Sequence, residues 1–186
     1  RAEVHLIKAQ LQPDKAIQIL EKGVKQAGRD PQIHVVLSQE YALANRGSEA
    51  MRSANLALSI HPGHVTARRW RGLGWEVQKK WLDGVGLRRV LDLQRDLSEK
   101  KAGLNPKAEK LVQDYPKSAL ASLLLAQVLS WDQRGVEAVA ALERAVKQDP
   151  GNEDVHAALG LALLKQGLPT KALVSLKQAV EARPGD

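Results

Sequence analysis

Residues 119–152 (ALASLLLAQVLSWDQRGVEAVAALERAVKQDPGN) and residues 153–186 (EDVHAALGLALLKQGLPTKALVSLKQAVEARPGD) are one unit written twice. Leu125-Ala126 aligns with Leu159-Gly160, Leu129 with Leu163, Ala138 with Ala172, Leu142 with Leu176 and Ala145 with Ala179. Pro150 and Pro184 close the two copies 34 residues apart, and Pro116 stands 34 residues before Pro150. Apolar residues recur three and four apart on both sides of a short polar break, so each copy predicts two helices joined by a turn. Small residues sit where the two helices of a unit must approach closely.

A 34-residue period with Leu-Gly, a bulky residue, Ala and then Pro resembles the tetratricopeptide repeat. The resemblance implies an all-α fold, a right-handed superhelical solenoid of antiparallel helix pairs, with its core between neighbouring repeats. Composition agrees. The chain is 44% hydrophobic, yet it has only four Trp, two Tyr and no Phe, which suits helices packed through Ala and Leu rather than strands. It has no cysteine, so disulfides and thiolate metal sites are excluded while the compartment, cytoplasm or periplasm, stays open. No apolar run approaches the roughly 18 residues of a membrane span. The chain opens on Arg1 without Met or a signal peptide and ends without a polar capping helix. The expectation is a longer native chain or a covered end.

Working outward, residues 1–30 form a partial first repeat: the tail of one helix, a Pro13-Asp14 turn, then a helix carrying Ala16, Ile19, Leu20 and Val24. Gly28 stands where later repeats have proline, as a helix C-cap. Residues 31–64 are a regular repeat, with Gly47 in its turn and Ala50, Ala54 and Ala57 on its second helix. Residues 65–98 are a divergent basic repeat in which Gly72 and Trp75 take the small and aromatic places. Arg68, Arg71 and Arg88 stand where large apolar residues are expected there, through either an altered register or arginine stems that pack and snorkel. Pro62 and Pro116 are 54 residues apart, so residues 99–118 hold one inserted helix, capped by Asn105 and started by Pro106. Residues 119–152 and 153–186 complete the array.

No catalytic constellation emerges: there is no nucleophile elbow, phosphate-binding loop or His-Glu-x-x-His, and the chain reads as non-enzymatic with no cofactor. Gly72-Leu73-Gly74 lacks the third glycine of a dinucleotide fingerprint and reads as close helix packing. His34 and His156 occupy the same place in two repeats, which argues for packing. His61 and His64 bracket a turn and fall short of a zinc ligand set, so no metal is expected.

What remains is recognition of another protein or peptide. By the resemblance, the first helices line a concave groove faced by the second, fifth, ninth, twelfth and thirteenth places of each unit: Gln32, Val35, Gln39, Ala42 and Leu43; Thr66, Arg69, Leu73, Glu76 and Val77; Leu120, Leu123, Gln127, Ser130 and Trp131; and Asp154, Ala157, Leu161, Leu164 and Lys165. The places of a chaperone-tail carboxylate clamp hold mostly Val, Leu, Gln and Ala. Trp131 is the expected anchor, the alternative being that it packs against the inserted helix. The resemblance extends in style to bacterial scaffolding arrays, including those of envelope secretion and polysaccharide export.

The net charge of +7 supports an alternative, because residues 65–110 carry twelve Lys/Arg against six Asp/Glu. Arg68, Arg69, Arg71, Lys79, Lys80, Arg88 and Arg89, interleaved with Trp70, Trp75 and Trp81, suit an anionic polymer, nucleic acid or acidic polysaccharide. Against this stands a solvated charged face over core tryptophans. Stacking of uncapped ends into a homo-oligomer is a third reading.

Overall fold

The computed structural model describes residues 2–181; Arg1, Pro184 and Asp186 of the repeat alignment lie outside the described residues. Among the described residues there are eleven α-helices and no strand: α1 (Ala2–Leu11), α2 (Ala16–Ala27), α3 (Pro31–Leu43), α4 (Gly47–Ile60), α5 (Val65–Gln78), α6 (Gly84–Ser98), α7 (Asn105–Asp114), α8 (Ala119–Trp131), α9 (Gly135–Gln148), α10 (Glu153–Lys165) and α11 (Pro169–Glu181). A short 3-10 turn at Pro13–Lys15 leads into α2.

Local chemistry recurs at fixed places. The helix that opens a repeat starts on a side-chain cap. Asp30 accepts from the Gln32 amide at 2.9 Å, Ser118 from Ala121 at 3.1 Å and Asn152 from Val155 at 3.2 Å. Each cap satisfies one of the amides left without a partner in a first turn. That helix ends where one residue turns left-handed: Asn45 and Gln133 at φ 62°, Gly167 at φ 72°. The next amide then reaches back to the helix, Arg46 to the Tyr41 carbonyl at 2.8 Å, Arg134 to Leu129 at 2.8 Å and Leu168 to Leu163 at 3.0 Å. This is a Schellman closure, and it sends the second helix back antiparallel on the first.

The chain divides into two compact units, Arg1–Arg88 and Arg89–Asp186. In the first, α3 packs on α4, and α5 lies along α4 as extensively as α3 does. The crossing of α4 and α5 is close because two glycines meet there. A Cβ on Gly47 would stand 2.3 Å from the Gln78 backbone nitrogen, and one on Gly74 would stand 3.1 Å from Ala50 Cβ. Gly72, the glycine expected at this contact, faces open space instead. The buried stripe of α5 is Ala67, Trp70, Leu73, Gly74 and Val77, rotated from the repeat's usual register. The rotation leaves Arg71 exposed and Arg68 half-buried, and on α6 Leu87, Val90 and Leu93 are buried while Arg88 is exposed. So the register is altered, and the arginines do not take the apolar places.

In the second unit α8 to α11 enclose a core of Ala126, Leu129, Ala138, Ala141, Leu142, Leu159, Leu163 and Ala172. The extra segment contributes α7, which runs antiparallel to the second half of α6. Asp96 pairs with Lys107 at 2.9 Å, and Arg89 pairs with Asp114 at 2.7 Å at the other end of the same hairpin. The turn between α6 and α7 has the Schellman form of the regular repeats, with Lys100 at φ 57° and the Lys101 amide on the Asp96 carbonyl at 3.0 Å.

Candidate peptide-binding groove

The second unit carries an open, mainly apolar groove of about 490 Å³ between α8 and α10, bounded on one side by Leu97 of α6. Its floor is Ala126, Leu142, Ala158 and Ala162, and its rim is Gln127, Ser130, Trp131, Gln133, Leu161 and Lys165. Helical spacing builds it. Gln127 and Trp131, Ala158 and Ala162, and Leu161 and Lys165 are each four apart and so share a face. The small floor residues leave room that a Leu or Phe would fill. Trp131 is 47% exposed and Leu161 58% exposed, and both border the same apolar floor, so they form one apolar patch and not two scattered side chains. Lys165 sits in the last turn of α10, where a cation is favoured by the exposed carbonyls.

Of the groove residues expected from sequence, Gln127, Trp131 and Leu161 come together here, with Ser130 and Lys165. Leu120, Leu123 and Ala157 are half-buried, and Leu123 packs against the core. In the first unit Gln32, Thr66 and Arg69 are exposed and Gln39 is half-buried. Val35 and Leu73 are buried at 2% and 3% exposure, their surface used in packing. Leu97 and Gln133 were not legible as groove residues. Leu97 lies in the divergent repeat, and Gln133 reaches the rim only through its left-handed backbone.

The basic cluster meets a different geometry. Trp70 is buried, and Trp75 and Trp81 pack edge to face at 4.8 Å, so their rings serve each other. Lys79 lies over the Trp75 ring at 5.8 Å, while Lys80 is exposed at a left-handed turn position. In the second unit Arg89 is held by Asp114 and lies over the Tyr115 ring at 6.0 Å.

The histidines are packing and capping groups. His34 Nε2 meets the Gly28 carbonyl and His156 Nε2 meets the Pro150 carbonyl, both at 2.8 Å. A carbonyl only accepts, so Nε2 carries the proton in both rings. His64 Nδ1 accepts from the Ala67 amide at 3.4 Å and caps α5, with His61 edge-on to its ring at 5.7 Å. Among the described residues no helix is long and apolar enough to cross a membrane.

Comparison with known proteins adds the family. The tetratricopeptide repeat profile matches residues 105–162 and again residues 132–186. No curated protein sequence matches the chain. Among solved structures the fold is similar to YrrB, a TPR protein with an unusual peptide-binding site, at 17% identity and TM-score 0.50, covering 89% of this chain and 93% of that one. It is similar to the TPR2AB-domain:pHSP90-complex of yeast Sti1, at 15% identity and TM-score 0.50, covering 98% of this chain and 75% of that one. MamA from Desulfovibrio magneticus RS-1 aligns over 100% of this chain and 97% of its own at 19% identity, with TM-score 0.44. The repeated helix pairs, their shared turns and caps, and the profile match converge on one conclusion: residues 105–186 belong to the tetratricopeptide-repeat family, in a chain whose described residues share the fold of solved tetratricopeptide-repeat proteins.

Proposed function

We propose that this chain is a non-catalytic scaffold that binds another protein through an extended or helical segment seated on Trp131 and Leu161. The observation that carries the reading is the groove itself: two large apolar side chains held exposed over an alanine floor, with amides and one ammonium at the rim. An apolar partner side chain entering it would be desolvated on the floor, and Gln127, Gln133 and Lys165 would bond its backbone or an acidic neighbour. YrrB is described by a peptide-binding site and the Sti1 domain by its complex with pHSP90, which supports this mode of use without assigning those ligands here. The Ala-, Leu- and Gln-rich repeats support a place in a larger bacterial assembly, such as an envelope secretion or polysaccharide-export machine.

The test is binding of a captured partner by Trp131→Ala and Leu161→Glu. Both sites are largely exposed, so both variants should keep the wild-type circular dichroism spectrum. Each should weaken binding by at least about 2 kcal/mol, roughly thirtyfold, as truncation of an interface anchor does. Wild-type affinity in both variants would remove the groove from the function. Leu123→Glu is a poorer probe, because Leu123 also packs on the core.

A further inference from the structure

The first unit holds a second cavity, of about 360 Å³, that the groove reading does not use. Its wall is aliphatic, from Ile17, Leu43 and Ala44, and its polar groups are Asp14, Gln18, Glu40, Arg46 and Arg88. Glu40 stands half-buried at this cavity, and among the described residues no hydrogen bond or ion pair reaches its carboxylate. The nearby cations do not fill that role. Arg46 is committed to Glu49 at 2.9 Å and lies over the Tyr41 ring at 4.5 Å. Arg88 attracts Glu40 only through space, without an ion pair. Burial pushes the Glu40 carboxyl above its ordinary range, and Arg88 pulls it back only in part. A carboxylate so placed has lost water and gained no partner, which is unfavourable unless something else supplies the counter-charge.

We infer that this cavity receives a basic side chain, a lysine or arginine of a polypeptide partner, with its stem along Ile17 and Leu43 and its charged end on Glu40 beside Asp14. Long basic side chains are built for such a site, because the stem is apolar and only the tip is charged. With Arg46 matched by Glu49, the remaining lining carries two negative groups, Asp14 and Glu40, and one positive, Arg88, a balance that favours a cation. Arg88 is then the internal competitor for Glu40. The inference is independent of the Trp131 groove, which lies in the other unit.

Two substitutions should act in opposite directions. The probe is Nα-acetyl-lysine methylamide, followed by amide chemical shifts in NMR, with the Nε-acetylated form as the uncharged control. Saturable shifts are expected at Ile17, Glu40 and Leu43 with the charged probe and none with the control. Glu40→Gln should weaken binding about tenfold, the scale of one charge-assisted hydrogen bond, while melting no lower than wild type because a half-buried charge without an ion pair is gone. Arg88→Ala should strengthen binding about threefold, as removal of a weak exposed competitor does. Absence of saturable shifts, equal shifts with the acetylated control, unchanged binding in Glu40→Gln, or weaker binding in Arg88→Ala would each overturn the inference.

Discussion

Asp96 shows how one side chain can fasten a non-standard junction. Its side chain is only 10% exposed, and its two oxygens are taken by Lys101 at 2.7 Å and Lys107 at 2.9 Å. Those hydrogen bonds, from Lys101 first and then Lys107, hold its carboxyl at about 2, below the ordinary 3.8. Glu99 shares Lys101 at 2.8 Å. A carboxylate depressed in the folded state stabilises the fold above its unfolded pKa, and that contribution is lost as pH falls through the folded value. Thermal melting of the wild type should therefore decline between about pH 4 and pH 2 partly through Asp96. In Asp96→Asn the melting temperature should be lower at neutral pH and the acid decline shallower. A variant whose acid limb overlays the wild type would remove Asp96 from the clasp. Residue-scale reading from sequence worked where position alone carried meaning, as with His34 and His156. It failed for Asp96, whose partners sit five and eleven residues further on across a turn that no motif announces.

At the scale of elements, the regular repeats were legible because their period and closing prolines are written in residue types with one strong preference. The cap expected at Asn105 was not: Asn105 is the first residue of α7, Leu104 holds the cap place without a side-chain bond, and the Asn105 side-chain amide donates to Asp132 instead. The hairpin turns were less legible. A left-handed residue before a second helix is usually glycine, yet here Asn45, Lys80, Lys100 and Gln133 adopt it, and only Gly167 of the comparable turns has the expected type. A side chain in this conformation costs about 1 kcal/mol. Gln133→Gly should therefore stabilise the second unit by up to about 1 kcal/mol, and Gly167→Ala should destabilise it by a similar amount, read from urea midpoints. The reverse signs would mean that side-chain contacts at these turns, not the backbone, decide. The register of α5 was hidden for a related reason. Gly72 and Gly74 are equally small on paper, and only the approach of α4 shows that Gly74 makes the contact. Rotation by those two residues buries Leu73, which a standard register would have turned to the groove.

On the scale of the whole molecule, sequence periodicity carries the all-α repeat architecture, while the groove comes from packing between α8 and α10 that periodicity only outlines. Stability in stacked repeats is a sum of local and neighbour terms, so helices with one covered face should open first. α11 buries only Ala172 and Ser175 and leaves Leu173, Val174 and Val180 exposed. On α9, Val139 and Val146, at the corresponding register, pack against the core. Hydrogen exchange should find the amides of α11 less protected than those of α8 and α9. Equal protection would show that α8 to α11 open as one block.

The most direct test of the scaffold account is affinity capture from the source cell's lysate, run at low and at high salt with wild type, Trp131→Ala and Leu161→Glu side by side. The account predicts a protein partner held by the wild type at high salt and lost from both variants, since apolar burial resists screening while surface electrostatics do not. Retention by all three chains of nucleic acid or acidic polysaccharide alone, released by salt, would contradict it and return the function to the basic residues of 65–110.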